Sequence, residues 1–177
     1  NTDKLATVCY KMIQNMYSKS YSEIFDLFYG ISVTQLLSLD NKILSLVPEP
    51  FCILSLSIPD ISNPTIFDCL DLYCINEKLE GENAWFNEVT NQKEDINKNN
   101  IFWSLPKVLI IDIKRFTNNN KKINKLVTTN LINNDFSKYV KGYNSESYVY
   151  DLYAVCNHMG GCYGGHYTAY IKNANNK

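Results

Sequence analysis

The chain is poor in histidine and glycine, and its cysteines follow no metal-binding or disulfide pattern. Of its 177 residues, two are histidine and seven are glycine. None of its six cysteines forms a C-x-x-C pair, so their spacing indicates neither a structural zinc site nor a disulfide framework. We therefore expect no cofactor and no bound metal. Free thiols are most simply explained by a reducing intracellular compartment, which is the cytoplasm or the nucleus.

Strong net charge and long apolar runs are also absent. The net charge is −1 and the isoelectric point is about 6.1, so no electrostatic argument favours binding to nucleic acid or to an anionic membrane. No apolar run reaches the roughly 18 residues that cross a bilayer. The first residues also lack the basic and apolar regions of a signal peptide. We expect neither nucleic acid nor membrane as a partner.

What the chain does contain is the hydrophobic pattern of one folded α+β domain. Its hydrophobic fraction is 45%, which is typical of a globular protein. Apolar residues recur at helical spacing over residues 3–19, which predicts an amphipathic helix. Residues 23–37 and 107–116 are predicted strands, and the nearly continuous apolar run of the second predicts burial on both faces. The sum is helices plus a largely antiparallel sheet in one piece.

The few histidines and most glycines gather in one stretch, CNHMGGCYGGHYTAYIKN at residues 156–173. Gly164 and Gly165 directly precede a predicted strand, where they suit a narrow slot for a passing peptide backbone. His166 would lie at the mouth of that slot and could act as a general base toward a thiol or hydroxyl. Residue types alone favour the alternative, a tight β-turn with structural histidines at His158 and His166.

Six blocks of the sequence, in order and at matching spacing, widen the comparison beyond this stretch. They are SEIFDLFYG (22–30), FCILSLSIP (51–59), TIFDCLDLYCINEKLEG (65–81), WSLPKVLIIDIKRF (103–116), LVTTNLINNDFSKYV (126–140) and YDLYAVCNHMGGCYGGHYTAYIKN (150–173). Together they resemble the catalytic domain of the ubiquitin-specific proteases, papain-like cysteine deubiquitinases. The resemblance implies a hand of fingers, palm and thumb that binds ubiquitin and hydrolyses the isopeptide or peptide bond at its C-terminus.

The resemblance also implies roles for individual residues. His166 matches the catalytic histidine, which would hold a cysteine as thiolate and later protonate the leaving amine. Segments 117–125 and 157–165 match the loops that gate the channel for ubiquitin's tail. The residues expected to bind substrate are Tyr167, Gly165, Gly164, Phe116 and His158.

Two of the three residues of the expected catalytic triad, the cysteine and the third residue, have no match in this chain. The family's cysteine box is not recognisable, and Cys9 in TVCYKMIQ falls inside the predicted helix, where a cysteine is usually a small buried hydrophobe. The third triad residue belongs after residue 173, and no matching strand is present. We therefore expect residues 1–177 to be a partial catalytic domain, with fingers and palm present and the thumb largely missing. An upstream segment would supply the thiolate, and this stretch by itself would be inactive.

The fingertip zinc site of many relatives is also replaced. Its four cysteine positions correspond to Ser38, Asn41, Asn87 and Thr90, none of which is a thiolate ligand, so we expect no zinc there. Two alternatives to the enzyme stay open. One is an inactive relative that binds ubiquitin without cleaving it, and the other is a palm-like structural domain without affinity for ubiquitin.

Overall fold

The computed structural model describes residues 2–143 and 148–173. The helices described are α1 (Thr2–Lys19), α2 (Glu23–Phe28) and α3 (Ile66–Tyr73), with short 3-10 helices at Gly81–Asn83 and Ser137–Tyr139. The strands described are β1 (Gly30–Leu37), β2 (Ile43–Phe51), β3 (Ile53–Ser57), β4 (Glu77–Leu79), β5 (Trp85–Asn87), β6 (Gln92–Glu94), β7 (Ile96–Ser104), β8 (Ile110–Lys114), β9 (Asn134–Asp135), β10 (Val149–Tyr150), β11 (Ala154–Gly161) and β12 (Gly164–Ile171).

A four-stranded antiparallel sheet in the order β2-β1-β7-β4 forms the centre of the fold. Helix α1 packs on it, and the buried cluster between them consists of Leu5, Ala6, Cys9, Ile31, Val33 and Trp103. The predicted amphipathic helix is therefore confirmed, because its apolar stripe is the face that covers the sheet.

A second core lies around α3 and the parallel pair β3–β8, and it includes Phe102 of β7. Neighbouring residues of a strand point to opposite faces, so Phe102 enters this core while Trp103 enters the first one. Helix α3 begins with a capping box, in which Thr65 Oγ1 accepts from Asp68 N and Asp68 Oδ2 accepts from Thr65 N. Strand β7 thus joins the two cores.

Two sequence predictions of local structure were wrong. The strand predicted over residues 23–37 begins as helix α2, because Ser22 caps it by accepting a hydrogen bond from Ile24 N, and β1 begins only at Gly30. Strand β8 exists as predicted but is not buried on both faces. Its alternate residues, including Ile110 and Asp112, are exposed on one face.

The remaining strands form short two-stranded sheets, β3–β8, β5–β6, β9–β10 and β11–β12. Six of the seven strand pairings in the described residues are antiparallel and only β3–β8 is parallel, so the α+β class with a mostly antiparallel sheet is confirmed. Within residues 2–143 and 148–173, no helix is long and apolar enough to cross a membrane.

Candidate active site

The histidine-bearing stretch is a regular hairpin of β11 and β12. Its register runs from Ala154 opposite Ile171 to Gly161 opposite Gly164, and Cys162 and Tyr163 form the turn. The glycine-rich loop expected from the sequence is therefore two paired strands with a two-residue turn. Antiparallel pairing joins the facing backbone groups of the two strands, so the hairpin holds its side chains in a fixed register.

The two histidines lie on opposite faces of this hairpin. His158 is directly opposite Tyr167, and Met159 is directly opposite His166. Because directly opposite residues share a face, His158 and Tyr167 belong to one face and His166 to the other. The His166 side chain is exposed, and it makes no hydrogen bond to any residue that the structure describes. It is therefore open to a thiol and a substrate.

The face that carries His158 also gathers the expected substrate-binding aromatics. The His158 ring centroid lies 4.7 Å from that of Tyr167 and 5.7 Å from that of Phe116. His158 is partly buried between them, whereas Tyr167 and Phe116 keep 66% and 48% of their surface exposed. Residues from β12, β11 and the end of the β8 segment thus form one aromatic surface that is open to a ligand.

Only one glycine of the predicted pair is required by this packing. A Cβ at Gly165 would overlap His158 Nε2 and the carbonyl oxygen of Met159, whereas a Cβ at Gly164 would meet nothing within 4 Å. The sequence interpretation missed Gly160, whose φ of +120° lies in a region that L side chains rarely adopt. The close approach inferred for Gly164 and Gly165 is therefore found at Gly165.

Segment 117–125 lies against the hairpin and is fixed at its base. Arg115 Nη1 donates to the carbonyl oxygens of Ile123 and Lys125 at 3.2 and 2.7 Å. Near the hairpin turn, Cys162 Sγ donates to the Asn120 carbonyl oxygen at 2.9 Å. The two segments expected to gate the channel are thus in direct contact.

Lys122 makes the largest set of contacts between this segment and the hairpin. Its Nζ lies within hydrogen-bonding distance of the His158 ring and of the carbonyl oxygens of His158 and Gly160. Sequence reasoning missed this residue because KKINK lies in an asparagine-rich stretch that reads as a solvated loop. The one sequence signal that could have indicated Lys122 is its position shortly after the IKRF strand and the turn that follows it.

The six cysteines range from buried, as at Cys9 and Cys69, to exposed, as at Cys156 and Cys162. Cys9 is fully buried on the face of α1 that packs on the sheet, and this burial raises the pKa of its thiol to about 11. Burial also raises the pKa of the Cys74 thiol to about 11. Among the described residues, which include every cysteine of the chain, no thiol hydrogen-bonds to His166.

The four positions that the resemblance aligns with a fingertip zinc site lie in or beside hairpin turns here. In the β1–β2 turn, Lys42 N donates to Ser38 Oγ at 3.0 Å, and Asn41 adopts a positive φ of 62°. In the β5–β6 turn, Glu94 Oε1 accepts from Asn87 Nδ2 at 2.9 Å and from Thr90 Oγ1 at 2.7 Å. Across residues 2–143 and 148–173, no group of three or more His, Cys, Asp or Glu side chains is arranged to hold a metal ion. Hydrogen bonds within each hairpin close these turns.

A second polar cluster, which sequence reasoning did not identify, lines a cleft of about 400 Å³ between α1, α2 and β1. The Asp26 carboxylate accepts hydrogen bonds from the hydroxyl groups of Tyr17 and Tyr21, each at 2.9 Å. The bonds from Tyr21 and then Tyr17 lower the pKa of Asp26, so this carboxylate stays ionised. The cleft therefore presents one fixed negative charge.

Comparison with known proteins assigns these features to one family. The family model described as ubiquitin carboxyl-terminal hydrolase matches residues 3–177. Ubiquitin carboxyl-terminal hydrolase 9 of Arabidopsis thaliana is 41% identical over 111 residues, which are 61% of this chain and 12% of that protein. Ubiquitin carboxyl-terminal hydrolase 19 of Homo sapiens is 41% identical over 118 residues, which are 64% of this chain and 9% of that protein. The chain thus spans only a small part of these relatives.

Solved structures agree on the fold. A SAGA DUB module that contains Ubp8 and is bound to monoubiquitin matches with a TM-score of 0.74 at 22% identity, over 89% of this chain and 36% of the matched chain. A second SAGA DUB module, from yeast, matches with a TM-score of 0.72 at 22% identity, over 86% of this chain and 35% of the matched chain. The chain belongs to the ubiquitin carboxyl-terminal hydrolase family and has the fold of its ubiquitin-specific proteases.

Proposed function

We propose that the protein containing this chain is a thiol-dependent deubiquitinase that hydrolyses the isopeptide or peptide bond at the C-terminus of ubiquitin. The observation that carries the proposal is the hairpin geometry. His166 is exposed on one face, while Phe116, His158 and Tyr167 form an aromatic surface on the other side of the same strands. In this proposal residues 1–177 form fingers and palm, and a cysteine outside them supplies the nucleophile.

His166 carries the proton in the proposed reaction. Its ring takes the proton of the thiol, and the thiolate attacks the carbonyl carbon of ubiquitin's terminal glycine. When the tetrahedral intermediate collapses, the C–N bond breaks and the imidazolium gives its proton to the leaving amine. Water then attacks the thioester, with His166 again as the base, and releases the ubiquitin carboxylate and the free thiol.

Two features support ubiquitin as the substrate. The aromatic surface beside Gly165 leaves Phe116 and Tyr167 largely exposed, so it is open to an extended peptide such as the Gly-Gly end of ubiquitin. One structural relative, the SAGA DUB module that contains Ubp8, is bound to monoubiquitin.

The test uses the intact protein and a ubiquitin that bears a thiol-reactive group at its C-terminus. We expect the wild-type protein to form a covalent adduct. We expect His166→Ala to lower the rate of adduct formation by about 10²–10⁴-fold, the range for a lost general base. Lys121→Met is the control, because its exposed side chain should leave the rate unchanged.

The other outcomes identify the alternatives. Noncovalent binding of ubiquitin without adduct formation would indicate an inactive ubiquitin-binding module. Neither binding nor capture would indicate a structural domain. Since the His166 ring is exposed and unbonded within the described residues, His166→Ala should leave the free energy of unfolding nearly unchanged. A loss of several kcal/mol would assign the ring a structural role.

A further inference from the structure

Lys122 uses all of its hydrogen-bond donors on one short stretch of β11. Its Nζ lies 2.7 Å from the His158 carbonyl oxygen, 3.1 Å from the Gly160 carbonyl oxygen and 3.1 Å from His158 Nδ1. A lysine ammonium group has three N–H donors and no acceptor. Each of these three atoms of the hairpin must therefore accept a hydrogen bond from Lys122.

This arrangement determines which nitrogen of His158 carries the ring proton. Because Nδ1 accepts from Lys122, it carries no proton, and the neutral ring has its proton on Nε2. A proton on Nδ1 would point at the ammonium group and break the contact. The lysine charge therefore selects one of the two tautomers.

The Nε2–H group that results is a donor without a partner. His158 Nε2 lies beside Gly165, where a Cβ would overlap it, and it has no acceptor among the described residues. His158 as a whole is only partly buried, so part of its ring remains open to solvent. The ring thus offers an N–H group at the surface beside the glycine.

We propose that Lys122 is a positioning residue, which holds His158 in the Nε2–H tautomer so that the ring donates a hydrogen bond to a backbone carbonyl of the ubiquitin tail. The assignment rests on the proposed function. Glycine residues offer no side chain to recognise, so a site for them must use their backbone groups. The opposite tautomer would present a lone pair to that carbonyl oxygen, and the two acceptors would repel each other.

The experiment compares the intact wild-type protein with Lys122→Met, which keeps the length of the side chain and removes its donors. Lys121→Met is the matched control, because it removes the neighbouring exposed lysine that makes no side-chain contact with the hairpin. Selective ¹⁵N labelling of histidine rings reports the tautomer by NMR, and the peaks lost in His158→Gln assign His158. We expect only the Nε2–H tautomer in wild type and Lys121→Met, and a mixture of tautomers in Lys122→Met.

The Kd for ubiquitin provides a second readout. If Lys122 acts through the His158 ring, its effect on the Kd should depend on that ring, whereas the effect of an independent structural contact should not. We expect Lys122→Met to raise the Kd for ubiquitin about tenfold, the loss of one well-placed hydrogen bond to a tail carbonyl. In a His158→Ala background the same change should have little further effect, because Lys122 acts through that ring. Additive losses in the double variant would show that Lys122 acts independently of His158, and would overturn the proposal.

The wild-type spectrum alone can overturn the proposal, even where a variant folds poorly. A wild-type His158 ring protonated at Nδ1, or a tautomer that Lys122→Met leaves unchanged, would overturn the positioning role. Failure of the proposed function looks different. In that case the Nε2–H tautomer would be present in wild type and lost in Lys122→Met, but the wild-type protein would not bind ubiquitin.

Discussion

The central sheet and the β11–β12 hairpin are both antiparallel, but different interactions hold them in place. In the sheet, Val33 and Phe102 are completely buried, and helix α1 or the α3 core covers each face. In the hairpin, nearly every side chain is exposed, with only His158 and Thr168 partly buried. Burial therefore fixes the register of the sheet, whereas strand pairing and a few contacts from segment 117–125 fix the hairpin.

This difference indicates which of the two regions opens more easily. A region with few buried apolar contacts opens at a low free-energy cost. Ligand-binding segments of proteins are commonly drawn from such regions of low local stability. For the proposed function, this means that the hairpin can adapt to a bound tail without disturbing the two cores. The same property makes its geometry sensitive to single contacts such as that of Lys122.

The largest expected effect on the free energy of unfolding comes from removing the ring of Phe102, which lies on β7 where the two cores are joined. Phe102 is fully buried, with ring centroids of Phe51 and Tyr73 at 5.6 and 5.7 Å. We expect Phe102→Ala to lower the free energy of unfolding by about 3–5 kcal/mol, because it leaves a cavity in the core. Urea denaturation of the intact protein measures the loss.

A matched change in the hairpin makes the comparison sharper. Tyr170 is 70% exposed, so we expect Tyr170→Ala to change the free energy of unfolding by no more than about 0.5 kcal/mol. Equal losses from Phe102→Ala and Tyr170→Ala would show that the hairpin is as strongly packed as the sheet, which contradicts the comparison.

An intermediate effect is expected from a pair of adjacent glycines in the hairpin. Gly165→Ala places a methyl group against His158 and the backbone of Met159, and overpacking of this kind costs about 1–3 kcal/mol. We expect this cost to appear as weaker ubiquitin binding, because it displaces the His158 ring. Isothermal titration of ubiquitin into the intact protein measures it.

Gly164→Ala is the control for this prediction, since a Cβ there meets nothing within 4 Å. We expect wild-type affinity for it. Similar losses in the two variants would mean that the hairpin tolerates no side chain at either position, and that the contact with His158 is not the cause.

A smaller effect on the buried region is expected from the α3 cap, which should not influence the hairpin. Thr65→Ala should lower the free energy of unfolding by about 1 kcal/mol, the typical value for a lost N-cap. Hydrogen bonds from the Thr65 side chain and then its backbone lower the pKa of Asp68. The stability from this carboxylate is therefore present above its unfolded pKa of about 3.9 and is lost as pH falls through the lower folded value.

Acid denaturation of the two proteins checks the sign. The difference between wild type and Thr65→Ala should shrink as the pH falls below about 4, because protonated Asp68 no longer accepts both bonds. A difference that grows toward low pH would contradict the assigned cause. Ubiquitin affinity at neutral pH should be the same in both proteins.

The sequence predicted the buried parts of the fold better than the site. The apolar stripe of α1 and the apolar β8 segment each reflect local periodicity. Helix α2 was missed because six residues rich in aromatic and β-branched side chains resemble a strand, and its cap at Ser22 is a single residue.

The site was predicted in part, because a resemblance supplied residues but not their geometry. His166, Tyr167, Phe116 and His158 could be named from the family pattern, and the structure places the last three together. Their assigned roles stay predictions, as does the cytoplasmic or nuclear location. Lys122 could not be found, because its importance depends on contacts to β11 across 36 residues of sequence.

Hydrogen exchange of the intact protein, with and without ubiquitin, tests most directly whether the exposed hairpin is the binding site for the ubiquitin tail. We predict that ubiquitin slows exchange of the amides in residues 157–167, and that ubiquitin without its last two glycines slows it much less. Equal protection by the two ubiquitins, or no change in this hairpin while ubiquitin binds elsewhere, would contradict the account.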